Sequence, residues 1–313
     1  MTAIGTAVYT NPDDFRAGVG GVSLDIVLRG HGDFKARLTW LKLPHLHLYR
    51  GQENVQRIAY ISLEPARTFV SFPLTAPVLS VWNGVELKLG DIVLHSHGER
   101  SHQWTKGASR WGLVSLPVGQ LPHSCKVLAE LDLIEHPVGR ILRPSPSSAV
   151  ELRRLHSKVC HLAETKPEIF IHQEPARAVE QDLIHALVEC LASAVAGQHL
   201  MVRQQQADIM TRFESALRMD FGEQPSLPEL CATIGVPERT LRSCCVKFLG
   251  VSPGQYMRLR RMNLVRAELL HADPATTSVA QIARRHRFSE LGRFAAVYRR
   301  IFGEFPSVTL TSK

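Results

Sequence analysis

Arginine residues follow two similar short motifs in the last quarter of the chain. Arg239 and Arg242 come after Gly-Val-Pro, and Arg293 comes after Arg-Phe-Ser. A guanidinium group is always charged and forms paired hydrogen bonds with phosphate or with the O6 and N7 atoms of guanine. We therefore expect these residues to bind a polyanion.

Both motifs belong to one pattern that occurs twice between Ser226 and Phe305. Leu230 and Gly235 of the first copy recur as Ile282 and Arg287 at an offset of 52 residues. In each copy, apolar residues three and four positions apart flank a turn, which predicts two helices joined tightly. This is the helix-turn-helix arrangement, whose second helix can lie in the major groove of DNA.

The segment between the two copies predicts one long helix. From Ser252 to Ala272 the apolar residues keep a helical period, and no Gly or Pro interrupts it after the first turn. About 20 helical residues span roughly 30 Å. Successive major-groove faces of B-DNA are about 34 Å apart, so this helix could place both second helices on one side of a duplex.

Most of the net positive charge lies in the last third of the chain. Residues 201–313 hold 17 Lys and Arg against 10 Asp and Glu, a net charge of +7, whereas residues 1–200 contribute +1 to the total of +8. A length of 313 residues favours at least two domains. The basic surplus therefore belongs to the repeated unit, as expected for a domain that binds nucleic acid.

Cysteine spacing and hydropathy indicate a cytoplasmic protein. The six cysteines include no C-x-x-C pair and are expected to be reduced residues of the core. No apolar run reaches the roughly 18 residues of a membrane span. Asp13 and Asp14 stand where a signal sequence would be basic and then apolar.

The first half of the chain has the sequence pattern of β-strands. Short alternating apolar runs from Ser23 to about Leu116, separated by Gly, Pro, Asn and Asp, predict a small β-barrel or sandwich. Residues 1–20 are expected to be a flexible or loosely docked lead-in. The fold class is therefore α+β: a β-rich domain over 1–145, a helical linker or dimerisation region over 146–200, and an all-α domain over 201–313.

Two helices are predicted in the linker. Ser147 or Ser148 is expected to cap the first. The second, from Glu174 to about Val195, has a broad apolar face. That face either covers the open side of the barrel or pairs with its copy in a homodimer, and the sequence leaves both open.

The C-terminal run from LPELCATIGVPERTLRSCC to RIFGEFPSVTL resembles the DNA-binding domain of the AraC/XylS family of bacterial transcription regulators. The resemblance covers about the last 110 residues and includes both helix-turn-helix units, the connecting helix and both G-x-x-P endings. It departs from the family pattern at Arg287, where Gly is usual. Ser243 and Ala296 replace a common Arg, and Cys245 stands in place of Phe.

The resemblance implies a cupin-like barrel in the N-terminal domain and a set of DNA contacts in the C-terminal one. The expected base contacts are Arg239, Arg242 and Ser243, with Lys247 on phosphate. Arg293 and Glu290 have reach toward bases in the second unit, whereas Arg299 and Arg300 suit phosphate. The full predicted set for double-stranded DNA is Arg239, Thr240, Arg242, Ser243, Lys247, Ser289, Glu290, Arg293, Arg299 and Arg300.

A histidine-rich segment of the first half supports a second hypothesis. GDIVLHSHGERSH, with His95, His97, Glu99 and His102, is similar to the cupin metal motif but lacks one spacer residue after Gly90. A cupin-type metalloprotein or oxygenase is therefore the alternative. The main hypothesis assigns no metal, no cofactor and no catalytic residue, and places a small-molecule effector near His95, His97, His102 and Trp104.

The sequence thus predicts a transcription regulator with a ligand-sensing β-domain. It is expected to act as a homodimer with RNA polymerase as a further partner and no membrane contact. A nucleic-acid packaging protein without sequence preference is a third hypothesis, which would bind all DNA sequences alike. The tryptophans of the first half either line a pocket or fill an ordinary core.

Overall fold

Two antiparallel β-sheets form the N-terminal half of the protein in a computed structural model that describes residues 3–30, 32–76, 78–133, 139–195, 200–201, 204–218 and 225–311. The strands are β1 (Ala3–Tyr9), β2 (Val22–Leu28), β3 (Ala36–Lys42), β4 (His47–Glu53), β5 (Arg57–Leu63), β6 (Arg67–Pro73), β7 (Ser80–Trp82), β8 (Val85–Glu86), β9 (Ile92–Leu94), β10 (Arg100–Thr105), β11 (Ser109–Pro117), β12 (Arg140–Leu142) and β13 (Leu200–Met201). One sheet has the order β1-β3-β4-β11-β6-β9-β12-β13, and the other has the order β2-β5-β10-β7-β8.

Most of the helices follow the sheets in sequence and make up the C-terminal part of the protein. They are α1 (Pro12–Arg16), α2 (Gln120–Ala129), α3 (Pro146–Thr165), α4 (Gln173–Val195), α5 (Gln204–Ala216), α6 (Leu227–Ile234), α7 (Glu238–Leu249), α8 (Pro253–His271), α9 (Val279–Arg285), α10 (Leu291–Phe302) and α11 (Pro306–Thr311), with a 3₁₀ turn at Pro167–Ile171. This layout confirms the α+β class. Across the described ranges, none of these helices has the length and apolarity needed to cross a membrane.

Helices α3 and α4 cover the outer face of the larger sheet. Leu183, Leu187 and Leu191 of α4 are fully buried and recur every four residues, which places them on one helical face. They join a core with strand residues such as Leu48 and Val114. The apolar face of α4 therefore covers the sheet, and pairing between two copies stays a prediction.

Two expectations about local structure were wrong. The described part of the predicted lead-in, residues 3–20, is not loose, because β1 pairs with β3 along its whole length and Phe15 of α1 is buried. The N-cap of α3 is Ser145, whose side chain accepts a hydrogen bond from the backbone N–H of Ser148. Pro146 takes the first helical position, where its missing N–H costs nothing, so the helix starts earlier than expected.

Equivalent caps start and end the repeated helices. Ser226 and Glu229 form a capping box at α6, and Ser278 with Gln281 forms the same device at α9. Each box satisfies two backbone N–H groups that have no partner within the helix. Gly250 and Gly303 end the second helices of the two units in the left-handed conformation. Both units are therefore encoded by the same local signals.

A buried histidine makes the stability of the β-domain depend on pH. His156 of α3 is fully buried and its Nε2–H donates to the carbonyl of Tyr49 at 3.0 Å. Burial lowers the pKa of His156 to about 4, so the unfolded chain, with a His pKa of about 6.5, binds the proton more readily. Stability is therefore full above about pH 6.5 and falls as the pH drops toward 4, by about 3 kcal/mol in total.

Urea unfolding at pH 7 and pH 4.5 tests this assignment. His156→Gln is expected to flatten the difference in unfolding free energy between the two pH values, whatever its effect at pH 7. His161→Gln, on the exposed face of the same helix, is expected to leave the difference unchanged. An equal pH dependence in the wild type and His156→Gln would show that this histidine is not the cause.

Candidate nucleic-acid interface and ligand cavity

Helix α7 presents a polar face beside an apolar one. Leu241, Cys244, Cys245 and Phe248 are buried, whereas Arg239, Arg242 and Ser243 are exposed on the opposite side and Thr240 is half-buried. Arg242 reaches back to Glu238 at 2.6 Å in an exposed pair, which is weak enough to give way to a stronger acceptor. The predicted base contacts of the first unit therefore share one accessible face.

Helix α10 presents a smaller polar face. Phe294, Tyr298 and Ile301 are buried, whereas Val297 is half-buried. The exposed residues are Ser289, Glu290, Gly292, Arg293, Ala296, Arg299 and Arg300. Of these, Arg293 lies 3.8 Å from Glu290, and Arg299 stacks over the Phe305 ring at 4.7 Å. Near its N-terminal end α10 thus exposes Arg293 as a long donor, whereas α7 exposes both Arg239 and Arg242 there.

Lys247 lies at the boundary between the two parts of the molecule. Its Nζ donates to Gln206 at 2.8 Å, and its side chain runs against Gly84 in the turn between β7 and β8, where a Cβ would come within 2.7 Å of it. A phosphate contact by Lys247, predicted from the sequence, would compete with this packing.

The turn of the second unit has a strained backbone at Arg287, the position where Gly is usual. Arg287 has φ of 62°, and Gly235, its equivalent in the first unit, has φ of 68°. The left-handed region is costly for a residue with a Cβ and nearly free for glycine. Burial of Phe288 and Phe294 on the C-terminal side of the turn holds Arg287 in this conformation.

Arg287→Gly is expected to stabilise the protein by about 0.5–1 kcal/mol, because relief of the left-handed strain exceeds the entropy cost of glycine. Denaturant unfolding measures the change. Arg287→Ala keeps the Cβ and is expected to bring no gain.

The converse substitution is Gly235→Ala in the first unit. The nearest atom to an added Cβ there is 3.9 Å away, so the conformational cost acts without a clash. It is expected to destabilise by about 1 kcal/mol. If Arg287→Gly and Arg287→Ala shift stability equally, side-chain contacts and not backbone strain decide the stability at this turn.

Two of the predicted effector residues lie near the larger sheet. His95 is buried, with Ser71 Oγ at 2.8 Å from its Nε2 and Glu99 Oε2 at 3.2 Å from its Nδ1. The Nε2 of His97 lies 3.1 Å from Thr68 Oγ1. The two histidines thus have separate partners, and His95 also lines the cavity described below.

The other two predicted effector residues face the helical domain. His102 of β10 is buried and its Nε2 lies 3.1 Å from Glu214 of α5. Trp104, two residues on, packs beside Gly250 at the end of α7, where a Cβ would come within 3.0 Å of the indole, and carries the Arg29 guanidinium over its ring at 5.4 Å. Both residues therefore stand at the junction of the domains.

The histidines do not gather into a metal centre in the described residues. No three His, Cys, Asp or Glu side chains converge within those ranges. A metal ion of the cupin type needs several such ligands on one centre. Of the histidine-rich segment, the structure brings together His95 and Glu99.

The structure has a cavity between the two sheets. The sequence did not identify most of the polar residues that line it. The cavity is lined by apolar side chains from both sheets and by Trp82 and Trp111, and holds about 890 Å³ of empty space including its open mouth. Glu53, Arg57 and Gln103 lie in its wall. Gln103 is 46 positions from Arg57, and a turn separates Arg57 from Glu53, so no local pattern marked them as neighbours.

Comparison with known proteins shows what the helical domain is similar to. A helix-turn-helix domain family matches residues 230–312. A probable thc operon regulatory protein of Rhodococcus erythropolis is 37% identical over 28% of this chain and 27% of its own length. The XylDLEGF operon transcriptional activator 2 of Pseudomonas putida is 37% identical over 28% of this chain and 55% of its own length.

The chain thus spans less than two thirds of the length of either relative. Among solved structures, the AraC-like transcriptional activator CuxR is 15% identical, with a TM-score of 0.44, over 85% of this chain and 96% of its own. That likeness is too low to support a conclusion about the arrangement of the two halves. The sequence similarity in the repeated unit is the informative part.

Proposed function

We propose that this chain is a sequence-specific DNA-binding transcription regulator of the AraC/XylS type, controlled by a small molecule; the helix-turn-helix match and the operon regulators similar to it support this. The observation that carries the proposal is the exposed face of α7, where Arg239, Arg242 and Ser243 lie together above a buried apolar face. An α-helix fits the major groove. Its donors on one face then meet base edges, while basic residues around α10 meet phosphates.

The effector acts on DNA binding through strand β10 in this proposal. Gln103 lies in the cavity wall and hydrogen-bonds Arg57 at 3.2 Å. Its neighbours His102 and Trp104 point to the other face of the sheet, because side chains alternate along a strand, and contact α5 and the end of α7. A ligand that moves Gln103 therefore shifts the equilibrium between two presentations of α7.

The proposal extends to partners and place of action. Two copies bind two half-sites as a homodimer and contact RNA polymerase in the bacterial cytoplasm, and the chain acts by binding and not by catalysis. An arginine pair on one helix covers few base pairs, so two copies would recognise a longer site. Light scattering of the complex with DNA, giving the mass of two chains per duplex, would support this arrangement, and one chain would contradict it.

Genome-wide footprinting of the bound protein tests the function. A regulator gives a limited number of sites that share a sequence motif, next to transcription units whose output changes when the gene is deleted. Uniform coverage of the genome would favour a packaging protein instead.

A further inference from the structure

The cavity between the sheets has an apolar interior. Its walls include Ile26, Ala59, Leu63, Phe72, Leu87 and Leu113, contributed by both sheets and the segment after β8. The space between these walls, about 890 Å³, includes open solvent at the mouth, so the enclosed part suits a small ligand. Burial of a ligand here is therefore driven mainly by apolar contact.

One part of the wall carries a closed ionic network. Arg57 forms a two-pronged pair with Glu53 through its Nε and through its Nη2, the latter at 3.0 Å. Glu53 Oε1 also accepts from Trp111 Nε1 at 2.8 Å, and Gly51 makes room for that indole, since a Cβ there would overlap it. Arg57 and Glu53 are 4% and 1% exposed. The carboxylate thus cancels the charge of the guanidinium inside the protein.

Some buried donors in this wall have no acceptor among the described residues. Arg57 Nη1, Trp82 Nε1 and Ser109 Oγ are buried and have no hydrogen-bond partner among the described residues, and all three residues line the cavity. A buried donor without an acceptor is costly, and native proteins rarely leave one in place. The unused donors therefore point to a ligand that brings an acceptor oxygen or nitrogen.

The same network disfavours an anion. A ligand carboxylate at Arg57 Nη1 would meet a guanidinium already neutralised and would lie close to the Glu53 carboxylate, a like charge in a weakly polar environment. It would also have to shed its hydration. His95 is engaged with Ser71 and Glu99, and Arg110 lies exposed at the mouth, where solvent and salt screen it.

We propose that the cavity binds an uncharged, largely apolar small molecule with one hydrogen-bond acceptor, such as a carbonyl group, placed against Arg57, and that it rejects the matching carboxylate. This rests on the proposed function, in which the cavity is the effector site. It adds the class of ligand and the residue that selects it.

Three naphthalene probes of similar size separate the possibilities. Isothermal titration calorimetry of the full chain at pH 7 compares 2-acetylnaphthalene, 2-naphthoate and 2-ethylnaphthalene. The ketone is expected to bind at least tenfold more tightly than the carboxylate and several-fold more tightly than the hydrocarbon. Naphthoate binding as tightly as the ketone, or more tightly, would overturn the proposal, and so would equal binding of the ketone and the hydrocarbon.

Two variants test the cause of the preference. Glu53→Gln removes the neutralising charge and is expected to bring the carboxylate to at least the affinity of the ketone. Ser109→Ala is the matched control: because the acceptor lies against Arg57, this variant is expected to keep the preference for the ketone over the carboxylate. Should Glu53→Gln not fold, the wild-type comparison of the three probes still decides, because a preference for naphthoate or equal binding of the ketone and the hydrocarbon contradicts the assignment.

Failure of the proposed function gives a different result. If none of the three probes binds to the wild-type chain, the cavity is not a site for such ligands and this inference is wrong, whereas the DNA-binding function stands or falls on its own measurements. If naphthoate alone binds, an effector site remains and only the assigned ligand class is wrong. DNA binding is measured separately and is independent of both outcomes.

Discussion

Glu214→Ala is expected to lower the free energy of unfolding by about 3–5 kcal/mol, because it removes a buried carboxylate and leaves its buried hydrogen-bonding partners unpaired. Glu214 of α5 is fully buried and accepts hydrogen bonds from His102 of β10 and from the hydroxyl of Tyr256 on α8. Burial raises the pKa of the Glu214 carboxyl, but the hydrogen bond from His102 and the charges around it outweigh burial and hold the pKa below its ordinary value. The carboxylate thus joins the sheet to both helices.

Chemical unfolding followed by tryptophan fluorescence and by helical circular dichroism measures the effect. Because Glu214 connects the domains, the alanine variant is expected to separate the two signals into different transitions, since the tryptophans all lie in the N-terminal half. Glu214→Gln keeps an acceptor and is expected to lose less. Glu151→Ala, which removes an exposed ion pair on α3, serves as the control and should unfold like the wild type.

A single cooperative transition in Glu214→Ala, with a loss below about 1 kcal/mol, would contradict this role, because that is the range of an exposed ion pair. The contact would then be incidental to the joining of the domains.

Arg239→Ala and Arg242→Ala are each expected to remove about 1–3 kcal/mol of discrimination at a particular base pair, or roughly 5- to 150-fold in the ratio of affinities. Both guanidinium groups are exposed on one face of α7. The loss should fall on the selected sequence and spare random DNA. Fluorescence anisotropy on both duplexes at one salt concentration gives the two affinities for each variant.

Arg300→Ala is the matched control on α10. Arg300 is exposed, and it is Arg299, not Arg300, that stacks over Phe305. If Arg300 binds a phosphate, its removal should weaken binding to both duplexes by one factor and reduce the salt dependence by about one unit. Equal losses on selected and random DNA for Arg239→Ala, Arg242→Ala and Arg300→Ala would refute the division between base and phosphate contacts.

The sequence predicted the helical domain well because its signals are local. The capping boxes at Ser226 and Ser278, the helix ends at Gly250 and Gly303, and the strain at Arg287 all depend on residues within a few positions of each other. An apolar period and a turn residue are enough to specify such a unit. The boundaries of α8, at Pro253 and His271, agree with the predicted connecting helix.

The N-terminal site was less predictable because its contacts are distant in sequence. His102 meets Glu214 across 112 positions, and Trp111 meets Glu53 across 58. The histidine-rich segment indicated a possible binding site but not the direction in which each side chain points. Because side chains alternate along a strand, His102 faces the helices, whereas His95 lines the cavity. Pairing of β1 with β3 is likewise a long-range contact, and no local pattern revealed it.

Sequence-specific DNA binding is the central claim, and one competition measurement tests it most directly. A duplex enriched by selection from a random library is compared with a random duplex of equal length at fixed salt. We expect the selected duplex to bind roughly 10³-fold or more tightly, and Arg239→Ala to reduce that ratio. Equal affinities for the two duplexes would contradict the account and identify the chain as a nucleic-acid binder without sequence preference.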